Sequence, residues 1–145
     1  MGLFDKILPK EPEVLTKEEA FAAVGLAAIA ADGAITEEEG RGFIVGLYRM
    51  KMFRNFNQNQ MGNLLNKLTN IIQRQGFDVL IKMSNESLPS DLKETAFAVA
   101  TDLVFTDGDV DATEQQVITK IQVMMGISEA QAMKIIEVMM IKNKG

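Results

Sequence analysis

The chain has 145 residues, of which 47% are apolar, and a formal charge of -5, so it is one domain's length with enough apolar matter for one core. It contains no cysteine and no histidine, which excludes disulfides, thiolate or imidazole metal sites and the commonest general base. The acidic balance argues against nucleic-acid binding through a basic footprint.

Residues 1–12 form a short amphipathic segment and linker, in which Leu3, Phe4, Ile7 and Leu8 make an apolar stripe that Pro9 stops. Two readings stay open: the stripe docks on the domain or is loosely ordered, or it meets a partner or a membrane surface. Lys6 stands where N-myristoylation would require Ser or Thr after Gly2, so no lipid anchor is expected. The longest apolar run, Ala20 to Ala31, has 12 residues, short of the roughly 20 that span a bilayer. With no leader-peptide pattern before it, a cytoplasmic protein without a membrane span is expected.

From residue 13 to 145 the pattern is that of a single compact all-α domain of about seven helices. Apolar spacing places them near 16–32, 37–53, 57–74, 77–86, 90–107, 112–125 and 128–143, with the one clear internal break at Pro89. Four starts carry a cap followed three residues later by an acid or amide: Thr16 and Glu19, Thr36 and Glu39, Asp111 and Glu114, Ser128 and Gln131.

Shifting the sequence on itself by 75 positions lays residues 19–39 on 94–114 without a gap. Glu19 matches Glu94, Ala23 matches Ala98, Val24 matches Val99, Asp32 matches Asp107, Gly33 matches Gly108 and Glu39 matches Glu114. This internal repeat predicts two related helical hairpins about a pseudo-twofold axis.

The second corner, "FTDGDVDATEQQVI", places Asp107, Asp109 and Asp111 on alternate positions. An EF-hand loop needs glycine at position 6 and glutamate at 12. Counted from Asp107 those positions hold Ala112 and Ile118, so the spacing excludes it. A corner explains more: Gly33 and Gly108 end a helix in the left-handed region, Ile35 and Val110 plug the corner into the core, and Thr36 and Asp111 cap the next helix. Asp32 and Asp107 sit in the last helical turn, where the macrodipole disfavours an acid by a few tenths of a kcal/mol, so they accept bonds from the turn or act as ligands. If the corners meet at the pseudo-axis, Asp32, Glu39, Asp107 and Glu114 converge, and their repulsion asks for a cation. Oxygen ligands alone select calcium, magnesium or manganese. Asp109 and Asp111 have Ala34 and Thr36 as counterparts, which would strengthen any cation site in the second corner.

Asp102 interrupts the apolar "AFAVATDLVF" and is expected to face a groove or a neighbour's Lys or Arg. In "YRMKMFRNFNQNQ" the aromatics Tyr48, Phe53 and Phe56 fit core spacing, and Arg49, Lys51 and Arg54 fit a solvated helix end. The methionines of "VMMG" (123–126) and "VMMI" (138–141) fit a helical core.

The doubled corner, Ala31, Asp32, Gly33, Ile35 and Glu39 in "AADGAITEEE" and Asp107, Gly108, Val110 and Glu114 in "FTDGDVDATE", together with "MGISEAQAMKII", resembles the TerB-like tellurite-resistance family. The resemblance covers about residues 13–143. It implies a helical fold of about seven helices, an acidic divalent-metal site at Asp32, Glu39, Asp107 and Glu114, and a role in tellurite and related stress resistance. It also implies protein partners in a larger membrane-associated system. The expected function is thus a non-enzymatic stress-response module, for want of His, Cys or a nucleophile elbow. The alternative is a helical adaptor whose acidic corners are purely structural.

Overall fold

The computed structural model describes residues 3, 14–31, 33–105 and 109–145. Among them the chain forms seven α-helices and no strand: α1 Lys17–Ala30, α2 Glu37–Tyr48, α3 Gln58–Gln75, α4 Phe77–Ser87, α5 Lys93–Val104, α6 Ala112–Met124 and α7 Glu129–Lys142. The amino-terminal stripe, apart from Leu3, which is 73% exposed, lies outside the described residues.

The apolar run of α1 dictates its place. Every residue from Ala20 to Ile29 is buried, and a helix that is apolar all round must be surrounded. It is packed against α2, α3, α4, α5 and α6. Its start is fixed by a reciprocal cap: the Thr16 N–H donates to Glu19 Oε1 at 2.8 Å and the Glu19 N–H to Thr16 Oγ1 at 3.1 Å. Lys67 of α3 reaches the same Glu19 oxygen at 3.0 Å. Burial opposes ionisation of Glu19, but the Thr16 N–H and the Lys67 ammonium outweigh it and hold the carboxyl below its ordinary 4.5. From α4, the buried Ser84 hydroxyl donates to the Ala20 carbonyl at 2.6 Å, so no uncompensated polar group enters the core there.

Gly25 sets how close α2 and α5 come to α1. A Cβ at this position would stand 2.7 Å from Phe43 Cε2 of α2 and 3.2 Å from Leu103 Cδ1 of α5. Only a residue without a side chain lets both neighbours lie flat on the helix. Phe43 itself is 2% exposed, a burial that stabilises by about 1.5–3 kcal/mol.

Two elements differ from the sequence expectation. The helix expected over 37–53 stops at Tyr48, Met50 turns extended, and Lys51–Phe53 form a 3-10 turn. The break delivers Phe53 to the core, fully buried with its ring 6.2 Å from Phe21 and 5.0 Å edge-on to Phe56, while Arg49, Lys51 and Arg54 stay exposed. The helix expected over 90–107 likewise begins as a 3-10 turn, Ser90–Leu92, before α5. A fifth cap also appears: Asn57 and Gln60 close a reciprocal box at 2.9 and 2.8 Å at the start of α3.

The first helix of each hairpin touches both helices of the other: α1 packs on α5 and α6, and α5 packs on α1 and α2. That arrangement places the α1–α2 and α5–α6 corners at a shared cleft.

Candidate functional site: an acidic cleft between two helix corners

The first corner begins where α1 runs out. The helix ends at Ala30, the Gly33 N–H donates to the Ala30 carbonyl at 3.0 Å, and Gly33 takes a φ of +92°. A side chain is strained at that φ, and glycine is not. Thr36 is extended, and its Oγ1 accepts from the Glu39 N–H at 3.1 Å while Glu39 Oε1 accepts from the Thr36 N–H at 3.1 Å.

The second corner repeats this cap with an acid in place of the hydroxyl. Asp111 Oδ1 accepts from the Glu114 N–H at 2.8 Å and Glu114 Oε1 accepts from the Asp111 N–H at 3.2 Å. Gln115 ties the turn further by donating to the Val110 carbonyl at 3.1 Å. Each box orients one glutamate, which is half-buried in both hairpins, and adds the negative charge that a helix start favours.

Both glutamates line one cleft of about 490 Å³. Its floor is apolar, with Ala28 and Ile29 of α1, Leu103 and Val104 of α5, and Val117 of α6. Its rim is polar, with Thr36, Glu38 and Glu39 on one side of the sequence and Asp111, Thr113 and Glu114 on the other; Ala31 and Gly42 complete the lining. Twelve of these residues form six pairs separated by the same 75 positions: Ala28 with Leu103, Ile29 with Val104, Thr36 with Asp111, Glu38 with Thr113, Glu39 with Glu114, and Gly42 with Val117.

Of the four carboxylates singled out from the sequence, the cleft therefore brings Glu39 and Glu114 together. Asp32 and Asp107, like the corner glycine Gly108, lie outside the described residues. Among the described residues no group of three or more acidic side chains is spaced to hold a metal ion. Sequence reasoning missed Glu38, an exposed acid in the first hairpin whose counterpart is Thr113. Its only signal was the third acid of "TEEE". Glu38 balances Asp111, so each hairpin brings two acids to the rim, while Asp109 is exposed and lines no part of the cleft.

The two corner aliphatics do not behave alike. Val110 packs against the core, whereas Ile35 remains 38% exposed, its Cγ2 lying over the bare backbone of Gly40. Asp102 meets a cation as expected, accepting from Lys142 Nζ at 3.1 Å and also from Asn143 Nδ2 at 2.8 Å. Ser128 caps α7, accepting from the Gln131 N–H at 3.2 Å, but the Gln131 amide turns to Glu94 Oε2 at 3.2 Å rather than back to the cap. The core reading of the methionines holds for Met125, 2% exposed, and fails for Met140, 53% exposed. The helical period places one face of α7 inward, and Met140 lies on the other.

The family model described as tellurite resistance protein TerB matches residues 18–136. The chain belongs to that family. Its fold is similar to a crystal structure of a protein of unknown function from Porphyromonas gingivalis, with a TM-score of 0.56 and 23% identity over 96% of this chain and 98% of that one. No curated protein matches the chain. None of the helices among the described residues is long and apolar enough to cross a membrane.

Proposed function

We propose that this chain is a non-enzymatic, cytoplasmic stress-response module of the TerB type in which Glu39 and Glu114, with Asp32 and Asp107, hold a hard divalent cation. The single observation that carries the reading is that the two capping-box glutamates, 75 positions apart, line one cleft. The constant offset across the lining supports a local twofold passing through the cleft, as two related hairpins would produce.

The donor chemistry fits. Carboxylate oxygens are hard ligands suited to calcium, magnesium or manganese. In each glutamate Oε1 is oriented by a backbone N–H of the cap, the kind of outer-shell support that fixes a ligand's direction. The cation would neutralise carboxylates that otherwise repel and would tie the two hairpins together. Because no three acids among the described residues are grouped for an ion, the proposed site requires Asp32 and Asp107. A metal-linked contact between hairpins suits a module that signals to protein partners in a larger membrane-associated system.

One observation favours a second reading, a helical adaptor with structural corners: both glutamates already serve as caps. Calorimetric titration with calcium, magnesium and manganese separates the two. The metal reading expects saturable binding by the native chain that is lost in the double variant Asp107→Ala, Glu114→Ala. Absence of binding by the native chain at millimolar metal would leave the adaptor reading standing.

A further inference from the structure

The 38 residues from Gly40 to Phe77 contain no Asp or Glu and six of the chain's 15 Lys and Arg, in a protein whose formal charge is -5. Four of the six, Arg41, Arg49, Lys51 and Arg54, are exposed along α2 and the 3-10 turn that follows it. Acids of the chain draw Lys67, Lys120 and Lys142 into ion pairs, and among the described residues none of these four is in one. The helical period puts Arg41, Val45, Tyr48 and Arg49 on one face of α2, opposite the buried Phe43 and Leu47. Val45 is 54% and Tyr48 37% exposed. At Gly42 and Gly46 an added Cβ would meet nothing within 4 Å, which leaves that side of the helix open among the described residues.

Neither the helix end nor the hairpin accounts for this set. A cation near a helix C-terminus is favoured by the macrodipole, which explains Arg49 but not Arg41, in the first half of α2, nor Lys51 and Arg54 beyond its end. Seventy-five positions on, where the second hairpin repeats the cap, the counterparts are Gln116, Met124, Gly126 and Glu129. The hairpin therefore forms without these charges. Clustered like charges repel, and an anionic partner relieves the repulsion. The size of the patch indicates which anion. Arg41 and Arg49 are about 12 Å apart along the helix axis, and Glu37, Glu38 and Glu39 stand immediately before the acid-free span. A nucleic-acid duplex or an anionic bilayer is larger than the patch and would bring its phosphates within a Debye length of those glutamates. A short acidic segment of a protein ends before them, and its apolar side chains find Val45 and Tyr48, the pairing of charge and apolar anchor used in protein recognition.

We propose that this face of α2 and the following turn bind a short acidic segment of a partner protein, with carboxylates on Arg41, Arg49, Lys51 and Arg54 and apolar side chains on Val45 and Tyr48. None of the cleft's carboxylates takes part, so the interaction stands or falls apart from the cation. Amide NMR titration of the full chain in EDTA, with a peptide of about twelve residues that alternates glutamate and leucine, tests it. Saturable shifts are expected at residues 41–54, with affinity falling about tenfold or more between roughly 50 and 500 mM salt. A peptide with lysine in place of glutamate should shift nothing there. Lys51→Glu with Arg54→Glu should abolish binding, with thermal unfolding unchanged because both side chains are exposed and unpaired. Val45→Ser should weaken binding about threefold or more and leave its salt dependence as it was. The proposal is overturned by a glutamate peptide that shifts no amide of this face at millimolar concentration, by shifts that survive the charge reversal, or by phosphatidylserine vesicles or a DNA duplex engaging the face where the peptide does not.

Discussion

Gly40, Gly42 and Gly46 of α2 stand where α6, 75 positions on, has Gln115, Val117 and Ile121, yet the two helices start from the same reciprocal cap and wall the same cleft. Glycine disfavours a helix interior by roughly 1 kcal/mol relative to alanine, so α2 is intrinsically the weaker of the two. It is held by Phe43 and Leu47, its two buried side chains, against α1 and α5. α6 buries Ile118 and Ile121 and packs on α4 as well as on α1 and α5. The comparison teaches that the cap and the corner set the cleft's geometry, while tertiary packing supplies what propensity withholds.

The hairpins' first helices differ in the same way. α1 is enclosed on all sides and begins with the Thr16–Glu19 box, whereas α5 begins at Lys93 after Leu92, which supplies no side-chain cap, and its Glu94 is engaged by Gln131 of α7. Where α1 has the buried Ala27, α5 has Asp102, tolerated because the thinner cover of α7 brings Lys142 and Asn143 to it. The same offset pairs Gly25 with Ala100, so the second hairpin has a fully buried methyl where the first has bare backbone.

The largest expected effect that would sharpen this contrast is at Ile121, which is fully buried. Ile121→Ala is expected to cost about 2–5 kcal/mol, read from urea unfolding. Next is Glu19→Gln, which keeps a box-forming oxygen but loses the Lys67 ion pair and the negative charge at the helix start, expected to cost about 0.5–1 kcal/mol at neutral pH. The folded Glu19 carboxyl titrates below its ordinary 4.5, so its contribution is present above that pH and is lost as pH falls through the folded value. The difference between native and Glu19→Gln should therefore shrink on acidification, and a difference that grows would contradict the assignment. Smallest and opposite in sign is Gly46→Ala. An added Cβ meets nothing within 4 Å, and the helix should gain about 0.5–1 kcal/mol. A loss there would show that α2 is not limited by its glycines.

Much of this fold was legible in the sequence because its signals are local. Caps three residues from their partners, Pro89 and the helical period of apolar residues placed the seven helices within about three residues of their observed ends, save that α2 stops at Tyr48 instead of running to 53. What stayed hidden is set by contacts distant in the chain. The break after Tyr48 is decided by Phe53 reaching Phe21, and Gln131 leaves its cap for Glu94, 37 positions away. The shallow docking of α7 depends on which apolar residues find neighbours, a matter periodicity alone does not resolve. Of the candidate site, the offset of 75 positions pointed to Glu39 and Glu114, but Glu38 emerged only once its helix was seen to wall the cleft.

The central claim is that both hairpins contribute to one cation site, and manganese titration followed by amide NMR tests it most directly. Paramagnetic broadening should appear together at residues 36–42 and 111–117, which flank the cleft lining, and should be displaced by excess calcium or magnesium. Broadening confined to one hairpin, or spread over the acidic surface without saturation, would contradict it.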